Sequence, residues 1–332
     1  MQHEEAGAEP GSGAPSPFEA DLAKINTALE GHLSSRVPII EDIARYSVLG
    51  QGKRLRPLLF VLSARACGRD GEDLFRSSVI FEIMHAASLL HDDVLDNAEF
   101  RRKKPSAASV WGNHVAVLGG DFLYAKSSAL ALTCGSLPFL ENITNSATTM
   151  AEGQMLELTH TNNWSLTREE YMEIITAKTA VLISTACACG AITAGAEERE
   201  KDCLGQFGLN LGIAFQMIDD LLDYTSTREV FGKPVGKDFR EGKITLPLIR
   251  TLGGMEQEEA AELEERFKTG RAKDEDYQDI IRRVREDPSL DEIRAEARGY
   301  VERAAGSLES LPDVQARQDL LTLNQQLLTR SF

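Results

Sequence analysis

From Phe18 onward, apolar residues recur mostly three and four positions apart, the spacing that lines one face of an α-helix. The segments DLAKINTALEGHL (21–33) and YMEIITAKTAVLISTACACGAI (171–192) show it most clearly. Convincing alternation with period two, the mark of a half-buried strand, is absent. VAVLGG at 115–120 comes nearest, and Gly119-Gly120 is expected to end that run. Proline fixes φ and removes a backbone donor, so it favours helix boundaries. Pro38, Pro105, Pro138, Pro234, Pro247, Pro288 and Pro312 are read as starts or stops. The pattern predicts an all-α fold of roughly a dozen helices and no sheet.

Two stretches break the pattern. Ser226 to Lys243 (STREVFGKPVGKDFREGK) holds three Gly, one Pro and five basic residues, too polar for core and long for a connector, which marks a functional loop. Beyond Gly253 the chain becomes strongly charged, as expected of a peripheral, solvated helical layer. Residues 1–17, rich in Gly, Ala, Pro and Ser, read as a disordered leader, leaving one all-α domain over 18–332.

Composition narrows the possible partners. A net charge of −16 repels nucleic acid and anionic headgroups, so neither is expected to bind the bulk surface. The five cysteines are widely spaced with no CxxC pair, which argues against a disulfide framework or a zinc site and fits a reducing cytoplasm. No run of 18 uninterrupted apolar residues exists, and the start of the chain lacks the basic and apolar regions of a signal peptide.

Charge also concentrates. In LLHDDVLDNAEFRRKK, helical geometry puts Asp92 and Asp96 one turn apart on one face, with Asp93 beside them. FQMIDDLLD repeats the arrangement with Asp219, Asp220 and Asp223. Carboxylates this close need a cation, and an all-oxygen set suits magnesium, which keeps its other positions for water and phosphate oxygens. A merely solvated acidic face would not need the near-continuous apolar sequence that precedes each cluster. Positive charge follows where a diphosphate would require it. Lys53 and Arg56 open an apolar helix, Arg101, Arg102, Lys103 and Lys104 follow the first cluster, and the loop adds Lys233, Lys237 and Lys243.

These motifs, in order, resemble the trans-polyprenyl diphosphate synthase family: GKRLRP, LLHDDVLDNAEFRR, GDFLY, AKTA, FQMIDDLLD and GKPVGKDFREGKITLP stand at the family's spacing. The resemblance covers the chain from about Asp21 to the C-terminus. It implies a homodimer of single-domain helical bundles, each around a deep central cavity. It implies that Lys53, Arg56, His85 and Arg102 hold isopentenyl diphosphate. Asp92, Asp93 and Asp96 on one wall, and Asp219 and Asp223 on the other, would bind magnesium, three ions per site with manganese as a substitute. Arg101, Lys178, Thr179, Gln216, Lys237 and Lys243 would contact the allylic diphosphate; Asp92, Asp96, Lys178, Asp219 and Asp220 would serve the chemistry. Departing diphosphate would leave an allylic carbocation, which isopentenyl diphosphate attacks.

In this family the product grows beside the first aspartate helix. The small Ala87 and Ser88, one turn before Asp92, with Met84 further down, predict an open floor and a hexaprenyl to decaprenyl product, octaprenyl foremost. Short-chain farnesyl or geranylgeranyl synthesis, a class I terpene cyclase and a non-catalytic subunit of a heteromeric synthase are the competing expectations. Transient membrane contact at product release is a further expectation. Lys103 stands where the family usually has Gly, so the turn there is expected to be shaped differently.

Overall fold

The computed structural model describes residues 18–50, 52–102, 104–225 and 235–329, so the leader and Lys233 lie outside the described residues. These hold sixteen α-helices and one π-helical turn. They run α1 (Glu19–His32), α2 (Pro38–Val48), α3 (Leu55–Ala66), α4 (Asp73–Leu95), α5 (Ala107–Trp111), α6 (Asn113–Thr133) and α7 (Leu137–Thr159). Then come α8 (Arg168–Ile175), the π-turn (Thr176–Ala180), α9 (Val181–Ala194), α10 (Glu198–Thr225) and α11 (Lys237–Arg240). The peripheral helices are α12 (Leu246–Gly253), α13 (Gln257–Lys268), α14 (Asp274–Glu286), α15 (Ser289–Ser307) and α16 (Gln315–Thr329).

Local chemistry sets the boundaries. Pro38 begins α2 and proline occupies the first turns of α7 and α12, where its missing N–H has no helical partner to lose. Ser106 and Ser136 cap α5 and α7, and Thr167 with Glu170 forms a capping box before α8. Helices α3 and α9 are apolar on nearly every side, so they pack at the centre of one continuous core that extends from Phe18 to Leu320.

One expectation, that of no sheet, needs correction. Phe100–Arg101 and Lys104–Pro105 pair as a small antiparallel hairpin, with Phe100 opposite Pro105 and Arg101 opposite Lys104. Strands of two residues carry no readable period, so hydrophobic alternation could not announce them. VAVLGG lies within helix, in keeping with the absence of convincing alternation. Gly120 gives α6 the clearance to lie on α4, since a Cβ there would stand 2.3 Å from the His91 ring.

By length and composition alone, α6 and the run from Arg168 to Ala194 are apolar enough to cross a membrane. The second is mostly buried inside the bundle; α6 packs along α4 and leaves apolar residues on its other side.

The π-turn is wedged between two helices at backbone distance. A Cβ on Gly153 of α7 would lie 2.7 Å from the Lys178 nitrogen, and one on Gly212 of α10 would lie 2.6 Å from the Ala180 Cα. Backbone cannot yield as a flexible side chain can, so both neighbours must be glycine. Gly212→Ala is expected to lower the free energy of unfolding by about 2 kcal/mol through overpacking. The shift in urea midpoint measures it, and an unchanged midpoint would refute the wedge.

Candidate active site

The aspartate clusters occupy the last turns of α4 and α10. The segment after α11 joins them: Lys243 Nζ donates to Asp96 Oδ2 at 2.8 Å and to Glu241 at 2.9 Å, and Glu241 also holds Lys237 at 2.7 Å. Burial works against ionising Glu241, but Lys243 and Lys237 prevail and hold its pKa below the usual value. Asp223 accepts the backbone N–H groups of Lys237 (3.2 Å) and Asp238 (3.1 Å), so it caps α11. Lys178, from the π-turn, pairs closely with Glu157 of α7.

The members of each cluster face different ways because successive helical residues are turned by about 100°. Asp93 and Asp220 are only 3% and 2% exposed. Asp93 is held by Arg101 Nε at 2.6 Å; Asp220 accepts from Tyr171 Oη at 2.6 Å and Gln216 Nε2 at 2.8 Å. Both therefore lie behind the site, orienting other groups, while Asp219 is exposed. Burial raises the pKa of Asp92; Lys178 opposes that shift, and Glu157 and Asp96 add to it. Among the described residues no three His, Cys, Asp or Glu side chains are placed to hold a metal by themselves.

The positive side lies at the start of α3 and along α4. Burial pushes the Arg56 guanidinium down to about 10, with Glu82 opposing and Arg102 adding to the depression. The His85 pKa is driven well below its usual value, by burial first and then by Arg56, Arg102, Arg101 and Arg54. The Arg56 Nε is buried with no hydrogen-bond partner. Cations that depress one another's pKa beside a buried guanidinium donor are suited to an anion. Arg54 is already committed, donating to Asn26 (2.9 Å), Glu82 (2.8 Å) and the Gly50 carbonyl (3.1 Å) from a left-handed backbone with φ 51°.

Known proteins fit this geometry. The family model for polyprenyl synthetase matches residues 37–284. The chain belongs to the polyprenyl synthetase family. The octaprenyl diphosphate synthase of Escherichia coli (strain K12) is 37% identical, over 91% of this chain and 94% of its own length. A decaprenyl diphosphate synthase from Rhodobacter capsulatus superposes with a TM-score of 0.88 at 35% identity, covering 95% of this chain and 97% of that one. A polyprenyl synthase from Caulobacter crescentus CB15, complexed with calcium and isoprenyl diphosphate, also gives 0.88, at 36% identity over 95% and 96% of the two chains. This chain is accordingly a trans-prenyltransferase with the all-α isoprenoid synthase fold.

Several residues of the synthase site escape sequence reasoning. Glu157 and Glu241 are single acids in unremarkable stretches, and only the fold sets them against Lys178, Lys237 and Lys243. Arg54 and Glu82 form an ion pair, each less than a tenth exposed, and the signal was present in the middle basic residue of GKRLRP. Lys103 itself lies outside the described residues; its neighbour Arg102 takes the left-handed conformation, at φ 49°. Of the expected floor residues, Met84 and Ala87 are fully buried; Ser88 is half-buried and donates to the His85 carbonyl at 2.8 Å.

Asp238 gives a pH test. Burial and Asp223 push its carboxyl up to about 7, with Lys243 pulling down and Asp219 pushing up. A carboxyl that binds its proton more tightly when folded loses stability as pH rises from about 4 to about 7 and stays destabilising above. Asp238→Asn should therefore stabilise the cation-free synthase at about pH 8 by roughly 2–4 kcal/mol, the gain fading toward about pH 4. Urea midpoints across that range check it, and a gain that grows on acidification would contradict it.

Proposed function

We propose that this synthase condenses isopentenyl diphosphate with an allylic diphosphate, farnesyl or similar, repeatedly, into an all-trans hexaprenyl to decaprenyl diphosphate, with octaprenyl foremost. What supports the reading is two groups of basic side chains, one with Arg56 and His85 at the start of α3 and along α4, the other with Lys178 and Lys243 beside the aspartate clusters, each suited to one diphosphate. A terpene cyclase handles one diphosphate and has no use for two such sites. A non-catalytic subunit has no reason to keep both aspartate clusters.

Magnesium on Asp92, Asp96, Asp219 and Asp223, three ions per site and replaceable by manganese, would supply charge to neutralise the departing diphosphate. Lys178, Lys237, Lys243 and Arg101 would bind that diphosphate's oxygens, with Thr179 and Gln216, bonded to each other, beside them. Lys53, Arg56, His85 and Arg102 would hold isopentenyl diphosphate, so that its double bond meets the allylic carbon in a fixed geometry. The last proton would pass to the released diphosphate. Glu157 and Glu241 hold the lysines of the site between turnovers.

The reading extends to assembly and location. Leu118 of α6 and Met155 of α7 are 62% and 61% exposed, with Val117, Leu132, Leu137 and Leu158 also exposed on those helices. A second copy covering this face supports the homodimer. Five free cysteines support a cytoplasmic setting, with transient membrane contact as the long product leaves.

Two experiments test it. Farnesyl diphosphate, isopentenyl diphosphate and magnesium should yield polyprenyl diphosphates of about C30 to C50, and Ser88→Phe or Ala87→Tyr should shorten them. Mass spectrometry reads the lengths; a hydrocarbon product, or no turnover without a second protein, would overturn the assignment. Leu118→Glu should convert a dimer of 36.5 kDa chains to monomer by light scattering, and a wild-type monomer would remove the dimer from the reading.

A further inference from the structure

Three hydrogen bonds link four side chains in an open line beside the π-turn. Tyr171 Oη donates to Asp220 Oδ2 at 2.6 Å, Gln216 Nε2 donates to Asp220 Oδ1 at 2.8 Å, and Thr179 Oγ1 donates to Gln216 Oε1 at 2.9 Å. Tyr171 stands on α8 before the π-turn and Thr179 lies within it; Gln216 and Asp220 are one turn apart on α10. This line of bonds thus ties α10 to both sides of Lys178, at Tyr171 and at Thr179. Its inner members leave little room for rearrangement, Tyr171 being 3% and Asp220 2% exposed.

Bond polarity fixes the amide. The Asp220 carboxylate accepts, so Gln216 must turn its NH₂ toward it, which leaves the Gln216 carbonyl facing Thr179. The Thr179 proton is thereby directed to Gln216, which fixes the rotamer of the Thr179 side chain and ties the π-turn to α10. The π-turn replaces the i→i+4 ladder with i→i+5 bonds, Val181 N–H to the Thr176 carbonyl among them, and the side-chain bonds to α10 add to these.

We infer that Tyr171 is a positioning residue for prenyl transfer, acting through Asp220 and Gln216 to fix Thr179, and with it Lys178, against the allylic diphosphate. This rests on the reading that Lys178 and Thr179 face that diphosphate. Tyr171 touches no substrate, and none of the motifs in the sequence includes it. The proposed isopentenyl diphosphate site, at the start of α3, stands outside this line of bonds.

The test is a kinetic double-mutant cycle with Tyr171→Phe, Thr179→Val and the pair, each substrate varied in turn. Tyr171→Phe should lower kcat/KM for the allylic diphosphate about 10-fold and leave KM for isopentenyl diphosphate within about two-fold. The double variant should be no slower than Thr179→Val alone, because both changes break one chain of contacts. Losses that multiply, a parallel rise in both KM values, or unchanged kinetics in Tyr171→Phe would overturn the inference. Should Tyr171→Phe fail to fold by circular dichroism, Gln216→Met breaks the same chain at a half-buried position, and multiplicative losses with Thr179→Val would again overturn it. Wild-type protein inactive on both substrates would instead overturn the assignment of function, so the two failures are distinct.

Discussion

Carboxylates gathered at the ends of α4 and α10 repel one another, and a partly buried setting strengthens that repulsion. The surrounding structure answers it. Lys243 reaches Asp96, Arg101 holds Asp93, the N-terminus of α11 meets Asp223, and Tyr171 with Gln216 satisfies Asp220. The opposite problem exists at the start of α3, where Arg54, Arg56, Arg102 and His85 crowd together against Glu82. One site gathers carboxylates and the other cations, and in the proposed reaction a diphosphate would meet magnesium at the first and guanidinium groups at the second.

Holding such groups requires rigid elements, and the chain obtains them by close backbone approach. Gly153 and Gly212 admit the π-turn between α7 and α10, which sets Lys178 and Thr179 where a regular helix would not. The charged C-terminal layer also contributes to the site. Phe239 of α11 is buried among Trp164, Phe267 and Tyr277, with ring centroids 5.1 Å from Phe267 and 5.3 Å from Tyr277. The outer faces of α13 and α14 are solvated as their charge suggests, while their inner aromatic residues seat the segment bearing Lys237 and Lys243.

The sequence by itself determined the helical class, the two aspartate clusters and the basic residues around them, because each is a local pattern. Helical period, a turn's worth of spacing between Asp92 and Asp96, and Lys53 and Arg56 at a helix start are all readable within a few residues. The family motifs added His85, Lys178, Thr179 and Gln216, whose residue types alone say little. Only the tertiary structure decided which carboxylates face the site and which stand behind it. Asp220 is adjacent to Asp219 in sequence, but packing against Tyr171 of another helix turns it into the wall. Glu157, Glu241, Arg54 and Glu82 became site residues only when distant segments met, and the hairpin at Phe100 and the π-turn are too short to carry a period. A side chain's charge is a local property, but its exposure, its partner and hence its pKa belong to whatever the fold brings beside it.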